Sequence, residues 1–180
     1  CRLRNAGTDR WIVDLRYNGG GNMNPMVEGL ATIIGNGPSG GAVGVVPTDD
    51  VTWEIVDGDF FNNGYSIRLP NSCSYDSFPK VAVLTSLYTA SSGEAVAVIF
   101  KGRDRTRFFG GNTLGMVTGT NWEVISEEIS MSISVNYYRD RTGKVYRNYV
   151  DVDEEIAFAS DTEARIDPCV RRSIEWLMQE

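Results

Sequence analysis

Tyr88-Thr89-Ala90-Ser91-Ser92-Gly93-Glu94-Ala95-Val96-Ala97-Val98 is the stretch on which the reading of this chain turns. An apolar run, Val81-Ala82-Val83-Leu84, ends just before it, and an apolar helical pattern begins inside it, so Ser91 falls where a strand meets a helix N-terminus. Main-chain N–H groups at such a point are unpaired and carry partial positive charge. A hydroxyl there is placed to attack a carbonyl, with the N–H groups available for the resulting oxyanion. The same residues also spell a capping box, with Ser91 at the N-cap and Glu94 three residues on. On this segment alone the cap is the simpler reading.

Outward from that point, Lys80 to Thr85 reads as a central strand and the helix after Ser91 extends to about Phe100. Trp11 to Leu15 reads as another buried-type strand. It runs into the turn-forming Asn18-Gly19-Gly20-Gly21-Asn22, and Pro25 to Ile34 follows as a helix with Pro25 in its first turn. Residues 35–41 read as a loop, Ala42 to Val46 and Val51 to Val56 as short strands, Asp57 to Asn63 as a turn, and Tyr65 to Leu69 as a strand. Pro70 to Pro79 reads as a surface loop carrying Cys73. Thr106 to Phe109 reads as a short strand and Gly110 to Gly119 as a glycine-rich loop. Ile129, Met131, Ile133 and Val135 alternate with serines, which predicts a strand with one buried face. Asp140 to Lys144 reads as a hairpin turn. Asp167-Pro168 opens a last helix, with Val170, Ile174 and Leu177 expected on its inner face. Helices alternate with strands and hairpins follow, without repeats or linkers, so residues 1–180 are expected to form one α/β domain with a mixed sheet.

The composition sets further bounds. A chain of 180 residues with 42% hydrophobic and 23% charged residues can bury one substantial core. The formal net charge of −7 argues against nucleic acid or an anionic membrane as the main partner. No segment has the length and apolarity of a membrane span. There is no histidine, and Cys1, Cys73 and Cys169 lack C-x-x-C spacing, so neither a metal site nor a cofactor is called for; one disulfide is open but not assignable from spacing. The first residues lead directly into a buried-type strand, so the sequence reads as the C-terminal part of a longer protein. A sheet edge left open there would favour self-association.

Two glycine- and serine-bearing junctions after comparable strands would emerge together if the strands share a sheet, at the edge where α/β folds bind ligands. Three segments in order, Ile12-Val13-Asp14-Leu15-Arg16-Tyr17-Asn18-Gly19-Gly20-Gly21, Thr89-Ala90-Ser91-Ser92-Gly93-Glu94 and Arg107-Phe108-Phe109-Gly110-Gly111-Asn112-Thr113-Leu114-Gly115, resemble the S41 peptidases, the C-terminal processing or tail-specific proteases. Gly21 to Met26 and Tyr146 to Asp153 look most like the branch that contains the nisin-resistance protease. The resemblance implies a ClpP/crotonase-like core of β-β-α units and peptide-bond hydrolysis through an acyl-enzyme on Ser91. It implies an oxyanion hole from the N–H of Ser92 and one from the glycine loop, with Gly20 preferred over Gly21. Asp14 and Arg16 match the pattern and read as structural. Asn18, Glu94, Thr113, Gly115 and Met116 are expected to support the site or the substrate. The resemblance also implies a peptide or protein substrate and a secreted or cell-envelope location.

The pattern fails at the proton acceptor that a serine nucleophile needs. Where many S41 members have a lysine, this chain has Met116. Lys101 lies ten residues along the helix from Ser91, and Lys80 begins the strand whose far end leads to it; both are roughly 15 Å away by helix and strand rise. Other members use a histidine upstream of the Asp-Leu-Arg strand, and this chain has none. Tyr146 falls near a glutamate of some relatives, and Val152 replaces their proline. The expectation is therefore a catalytic core whose base, a histidine by resemblance, lies on polypeptide outside these residues. A degenerate, non-catalytic peptide-binding module is the alternative.

Overall fold

Val81, Ala82, Val83 and Leu84 have no polar side chain to turn toward water, and all four are fully buried. A strand of this kind is stable only with both faces covered, and that requirement organises the molecule. In the computed structural model, which describes residues 1–68, 72–157 and 167–179, the elements in chain order are α1 (Arg2–Asn5), β1 (Arg10–Asp14), α2 (Met23–Ile34), β2 (Gly37–Gly44), a 3-10 turn (Pro47–Asp49), β3 (Val51–Val56), β4 (Asp59–Asn62), β5 (Lys80–Thr85), α3 (Ser92–Phe100), β6 (Thr106–Gly110), β7 (Thr118–Val124), β8 (Ser130–Arg139), β9 (Glu154–Glu155) and α4 (Pro168–Leu177).

Parallel and antiparallel pairing are both present, sorted into two sheets. One has the order β1-β5-β6-β9, with every pairing parallel. The other has the order β4-β3-β2-β8-β7, with every pairing antiparallel. Helices α2 and α3 lie between them. Val81 and Val83 join α2, α3, Trp53, Ile55 and Phe60 in the larger core, whereas Ala82 and Leu84 face Cys169 and Leu177 of α4 in a smaller one. Every residue of α3 is buried, since it has a sheet on either side. Arg103, 4% exposed, closes the interior end of α2 by donating to the carbonyls of Ile33 and Ile34, and to that of Pro79.

Several expected boundaries move. Residues 37–41 are strand rather than loop. Gly41 lies so close to β3 that a Cβ would stand 2.0 Å from the Val51 carbonyl, and Gly40, at φ +124°, passes a bulge against Arg139. The glycines there answer to neighbouring strands, not to a turn. The turn expected over 57–63 shrinks to Asp57-Gly58, both at positive φ as a tight hairpin requires, and Asp59–Asn62 is strand. The strand expected at Tyr65 is a single bridge to Asn62 with Ile67 exposed; Leu69, like Pro70 and Asn71 of the next loop, lies outside the described residues.

The Ile129–Val135 alternation does form a strand, but Ile129, Met131 and Ile133 are exposed and its buried residues are Asn136 and Tyr138. Its partner β7 begins at Thr118, inside the expected glycine-rich loop, and runs on to Val124. Together they make a ribbon that reaches past the core. On α4 the inner face is Cys169, Ser173 and Leu177, and Ile174 is exposed. Cys1 and Cys73 form a disulfide, and Cys169 is free and buried.

Candidate active site

Strands β1, β5 and β6 are parallel neighbours, so the three segments that follow them leave the same sheet edge side by side. Hydrogen bonds between the loops fix their spacing. The Thr89 hydroxyl donates to the Leu15 carbonyl at 2.8 Å and the Ser86 hydroxyl to the Arg16 carbonyl at 2.5 Å. The Ala90 N–H reaches the Asn18 carbonyl at 3.0 Å, and the Leu114 N–H reaches the Thr89 carbonyl at 2.9 Å. Thr89 is wholly buried, so its hydroxyl is a structural tie.

Ser91 is the turning point. Its backbone sits at φ 51° and ψ −118°, a conformation non-glycine residues avoid and one associated with nucleophiles presented on a strand-to-helix turn. Gly20 passes directly beneath it: a Cβ on Gly20 would lie 2.9 Å from Ser91 Cβ and 3.4 Å from its Oγ. Gly93 is equally constrained, since a Cβ there would meet the Asn18 carbonyl at 2.2 Å. Ser91 and Glu94 keep the capping-box arrangement. Its second half is the hydrogen bond from the Ser91 N–H to Glu94 Oε2 at 2.9 Å. The other Glu94 oxygen accepts the Thr113 hydroxyl at 2.5 Å and the Gly115 N–H at 2.8 Å, and Thr113 Oγ1 in turn accepts the Val150 N–H at 2.9 Å. One fully buried carboxylate thus holds the Ser91 turn against the loop after β6.

The two expected oxyanion donors of the glycine loop differ. The Gly20 N–H donates to Asn18 Oδ1 at 3.1 Å, an Asx turn that occupies it. The Gly21 carbonyl accepts the Ser92 hydroxyl at 2.6 Å, which pins the glycine loop to the start of α3. Arg16 is anchored away from the groove, donating to Asp14 and, at 2.6 Å, to Asp167 at the N-cap of α4. The hydrogen bond that Arg16 donates to Asp14 raises the guanidinium above its already high value, with burial opposing it. At Asp167, burial works to raise the pKa, but hydrogen bonds from Arg16 and from the Val170 and Cys169 amides override it and leave it below the ordinary range.

Ser91 and Ser92 open onto a groove of about 440 Å³ between the two sheets. The antiparallel sheet and its ribbon supply the opposite wall, including Trp53, Thr118, Asn121, Asn136 and Tyr138; the α2 entry adds Asn22 and Asn24. Among the described residues no charged side chain lines this groove. Tyr138 is 4% exposed, its ring packs against Trp53 at 5.6 Å, and it lines the groove together with Ser91. Burial, with the Glu94 charge adding to it, pushes the phenol up to about 12. Nothing in the local sequence marks Tyr138, because it enters the groove only through the β2–β8 register that pairs it with Ala42.

The family model described as peptidase family S41 matches residues 2–156. The chain belongs to peptidase family S41. It is 29% identical over 140 residues to the nisin-resistance protein of Lactococcus lactis subsp. lactis, a match that takes in 77% of this chain and 43% of that relative's length. Among solved structures it resembles a lipoprotein from Streptococcus agalactiae, at TM-score 0.73 and 22% identity over 94% of this chain and 54% of that one. It also resembles the photosystem II D1 C-terminal processing protease, at TM-score 0.61 and 22% identity over 87% of this chain and 36% of that one. These likenesses establish an S41 protease fold for the two-sheet core.

Within this S41 chain all three lysines are engaged away from Ser91. Lys80 donates to the carbonyls of Trp176 and Gln179 at the end of α4. Lys101 is buried against the Phe108 ring, 3.9 Å from Asp151, and Lys144 also pairs with Asp151, at 3.1 Å. Burial lowers Lys101, with Asp151 opposing. Met116 stands 54% exposed. The Tyr146 phenol donates to Asp140 at 2.8 Å.

Proposed function

We propose that this chain is the catalytic core of a serine endopeptidase whose nucleophile is Ser91. The supporting observation is the seat of that residue: a strained serine at a helix N-terminus, in contact with a glycine loop and facing a groove. In the proposed reaction, Ser91 Oγ attacks the scissile carbonyl carbon as its proton passes to a base, and the tetrahedral oxyanion is held by the Ser92 N–H and a main-chain N–H of the glycine loop. Gly21 fits the second donor better than Gly20, whose N–H is occupied by Asn18. Collapse releases the amine and leaves an ester on Ser91, which water hydrolyses.

The base is assigned to polypeptide beyond these residues. Among the described residues the groove has no ionisable side chain apart from the Tyr138 phenol, and the lysines are committed elsewhere. By itself the chain should therefore retain little turnover beyond what oxyanion stabilisation and binding supply. Family membership points to a peptide or protein substrate, and the uncharged groove suits a peptide segment that is neutral around the cleaved bond. The relatives' names, a nisin-resistance protein and a lipoprotein, support a cell-envelope location, as does a Cys1–Cys73 disulfide, which persists in oxidising compartments.

The test is a fluorophosphonate probe applied to the full-length protein. Labelling that disappears in Ser91→Ala supports the assignment; labelling and peptide cleavage that survive Ser91→Ala overturn it. The alternative, a peptide-binding module without chemistry, is favoured by Met116. It predicts peptide binding with no labelling in the wild type.

A further inference from the structure

We infer that the groove-side face of the β7–β8 ribbon is the outer arm of the substrate-binding surface: Ile133, Met131 and Ile129 take up alternate apolar side chains of an extended peptide, remote from the bond that is cut. This deepens the peptidase reading and rests on the groove at Ser91 being where the peptide is cleaved.

A single bulge decides which face these residues take. Close to the core, Asn136 and Tyr138 are buried and line the groove. Unbroken alternation would turn Val135, Ile133, Met131 and Ile129 to the opposite face. The ladder slips instead. Gly119 pairs with Asn136 but Thr120 pairs with Ser134, which leaves Val135 as the extra residue of a β-bulge. Val135 accordingly joins Asn136 in the groove wall, and alternation restarts from it. Ile133, Met131 and Ile129 follow on the groove side, and Ser130, Ser132 and Ser134 take the other face. The partner of Ile133 is Asn121, itself a groove residue, and the partner of Met131 is Glu123. The Ile125 N–H donates to the Ile129 carbonyl at 2.9 Å and closes the tip.

The row is continuous with the groove and open to water. Exposure rises outward, from 40% at Ile133 through 49% at Met131 to 57% at Ile129, so nothing among the described residues covers it. Apolar side chains confined to one face of a ribbon mark a surface that is covered when the protein works. Successive members stand roughly 7 Å apart at about 3.4 Å per residue, which is also the spacing of same-side residues in an extended peptide. From Val135 to Ile129 the row runs roughly 20 Å, the length of about six such residues. Apolar contact is non-directional, so the row selects for apolar character and not for one sequence. An anionic lipid surface does not suit it, because Glu123, Glu127 and Glu128 are exposed around the tip.

The experiment measures fluorescence anisotropy on the full-length Ser91→Ala protein, in which peptides should be held without being cut. Two fluorescein-labelled peptides share an Ala-Gly-Ala-Gly centre. One is flanked on both sides by Leu-Ser-Leu-Ser-Leu-Ser, the other by serines alone. The leucine peptide should bind at least about tenfold more tightly, as apolar side chains leave water. Ile129→Ser, Met131→Ser and Ile133→Ser in combination should erase that preference, and Ile129→Leu, Met131→Leu and Ile133→Leu should keep it. All three positions are exposed, so both triple variants should melt as their parent does. Equal affinities in the parent, no measurable binding of either peptide, or a leucine preference that survives the serine variant overturns the ribbon assignment. Fluorophosphonate labelling of the wild type that is lost in Ser91→Ala keeps the peptidase reading intact in each of those cases. Absence of both labelling and peptide binding is the failure of that reading, and the ribbon assignment falls with it. A parent that sediments as a dimer and becomes a monomer in the serine variant makes the ribbon a contact between copies, which also overturns the assignment.

Discussion

Glu94 Oε2 accepts the main-chain N–H of Ser91 at 2.9 Å, from a carboxylate with no exposed surface. The group that caps α3 is therefore also the group that sets the backbone of the proposed nucleophile. Its other oxygen is shared by the Thr113 hydroxyl and the Gly115 N–H. Glutamine has one acceptor oxygen where glutamate has two, so Glu94→Gln sets an NH2 against at least one of these buried donors. The expected loss is about 2–3 kcal/mol of unfolding free energy, from buried groups left unpaired. Urea denaturation measures it. Fluorophosphonate labelling should fall together with stability.

Gly20→Ala and Gly19→Ala separate the site from the loop that carries it. At Gly20 a methyl group meets Ser91 Cβ at 2.9 Å and the backbone is at φ +113°; at Gly19 a methyl group meets nothing within 4 Å. Gly20→Ala should reduce labelling of Ser91 by about tenfold or more through misplacement of the oxygen, with a stability cost of order 1–2 kcal/mol for the strained backbone. Gly19→Ala should leave labelling within about twofold of wild type, since the added methyl group displaces nothing near the oxygen. Equal effects at the two positions would contradict the close approach.

Arg103 is buried, and among the described residues it has no carboxylate partner. Its guanidinium is satisfied by the Ile33, Ile34, Pro79 and Asp104 carbonyls and the Thr106 hydroxyl. Arg103→Met strands the carbonyls that end α2, at an expected cost of about 3 kcal/mol. Thermal melts should show it, while the groove residues are untouched.

The stability–pH profile should carry the Arg16–Asp167 pair. The folded pKa of Asp167 lies below its unfolded value of about 3.9. Its contribution is therefore present above pH about 4 and is lost as the pH falls through the folded value. Asp167→Asn preserves a good helix cap and removes the charge. It should lower stability at pH 6 and flatten the acid limb between about pH 4 and 2 in urea titrations.

The disulfide joins residues 72 positions apart. Removing it with Cys73→Ser should cost about 4 kcal/mol by the loop-entropy estimate. Burial raises the Cys169 thiol to about 11 and leaves it 4% exposed, so a thiol reagent should find no reactive group in the native oxidised protein and one after unfolding.

What the sequence made legible was what local chemistry dictates. An all-apolar run must be a covered strand, Asp167-Pro168 must open a helix, and Ser91-Ser92-Gly93-Glu94 must start one. Residues 37–41 were illegible because their glycines serve the approach of β3 and β8, which local sequence does not encode. The Ile129–Val135 alternation gave the right element and the wrong burial, because period two reports pleating and not what lies against each face. Ile174 misled in the same way on α4. The Ser91 side of the site could be read from one segment. The Tyr138 side could not, because it depends on the pairing of Tyr138 with Ala42, far away in the chain.

The β7–β8 ribbon leaves Trp122 73% exposed, one residue beyond Asn121, which lines the groove. The other three tryptophans are partly or fully buried. The molecule therefore carries its own optical gauge: a water-bathed indole whose emission should be long in wavelength and open to iodide quenching. A peptide threading the groove toward the ribbon would announce itself by a blue shift, with no dye attached.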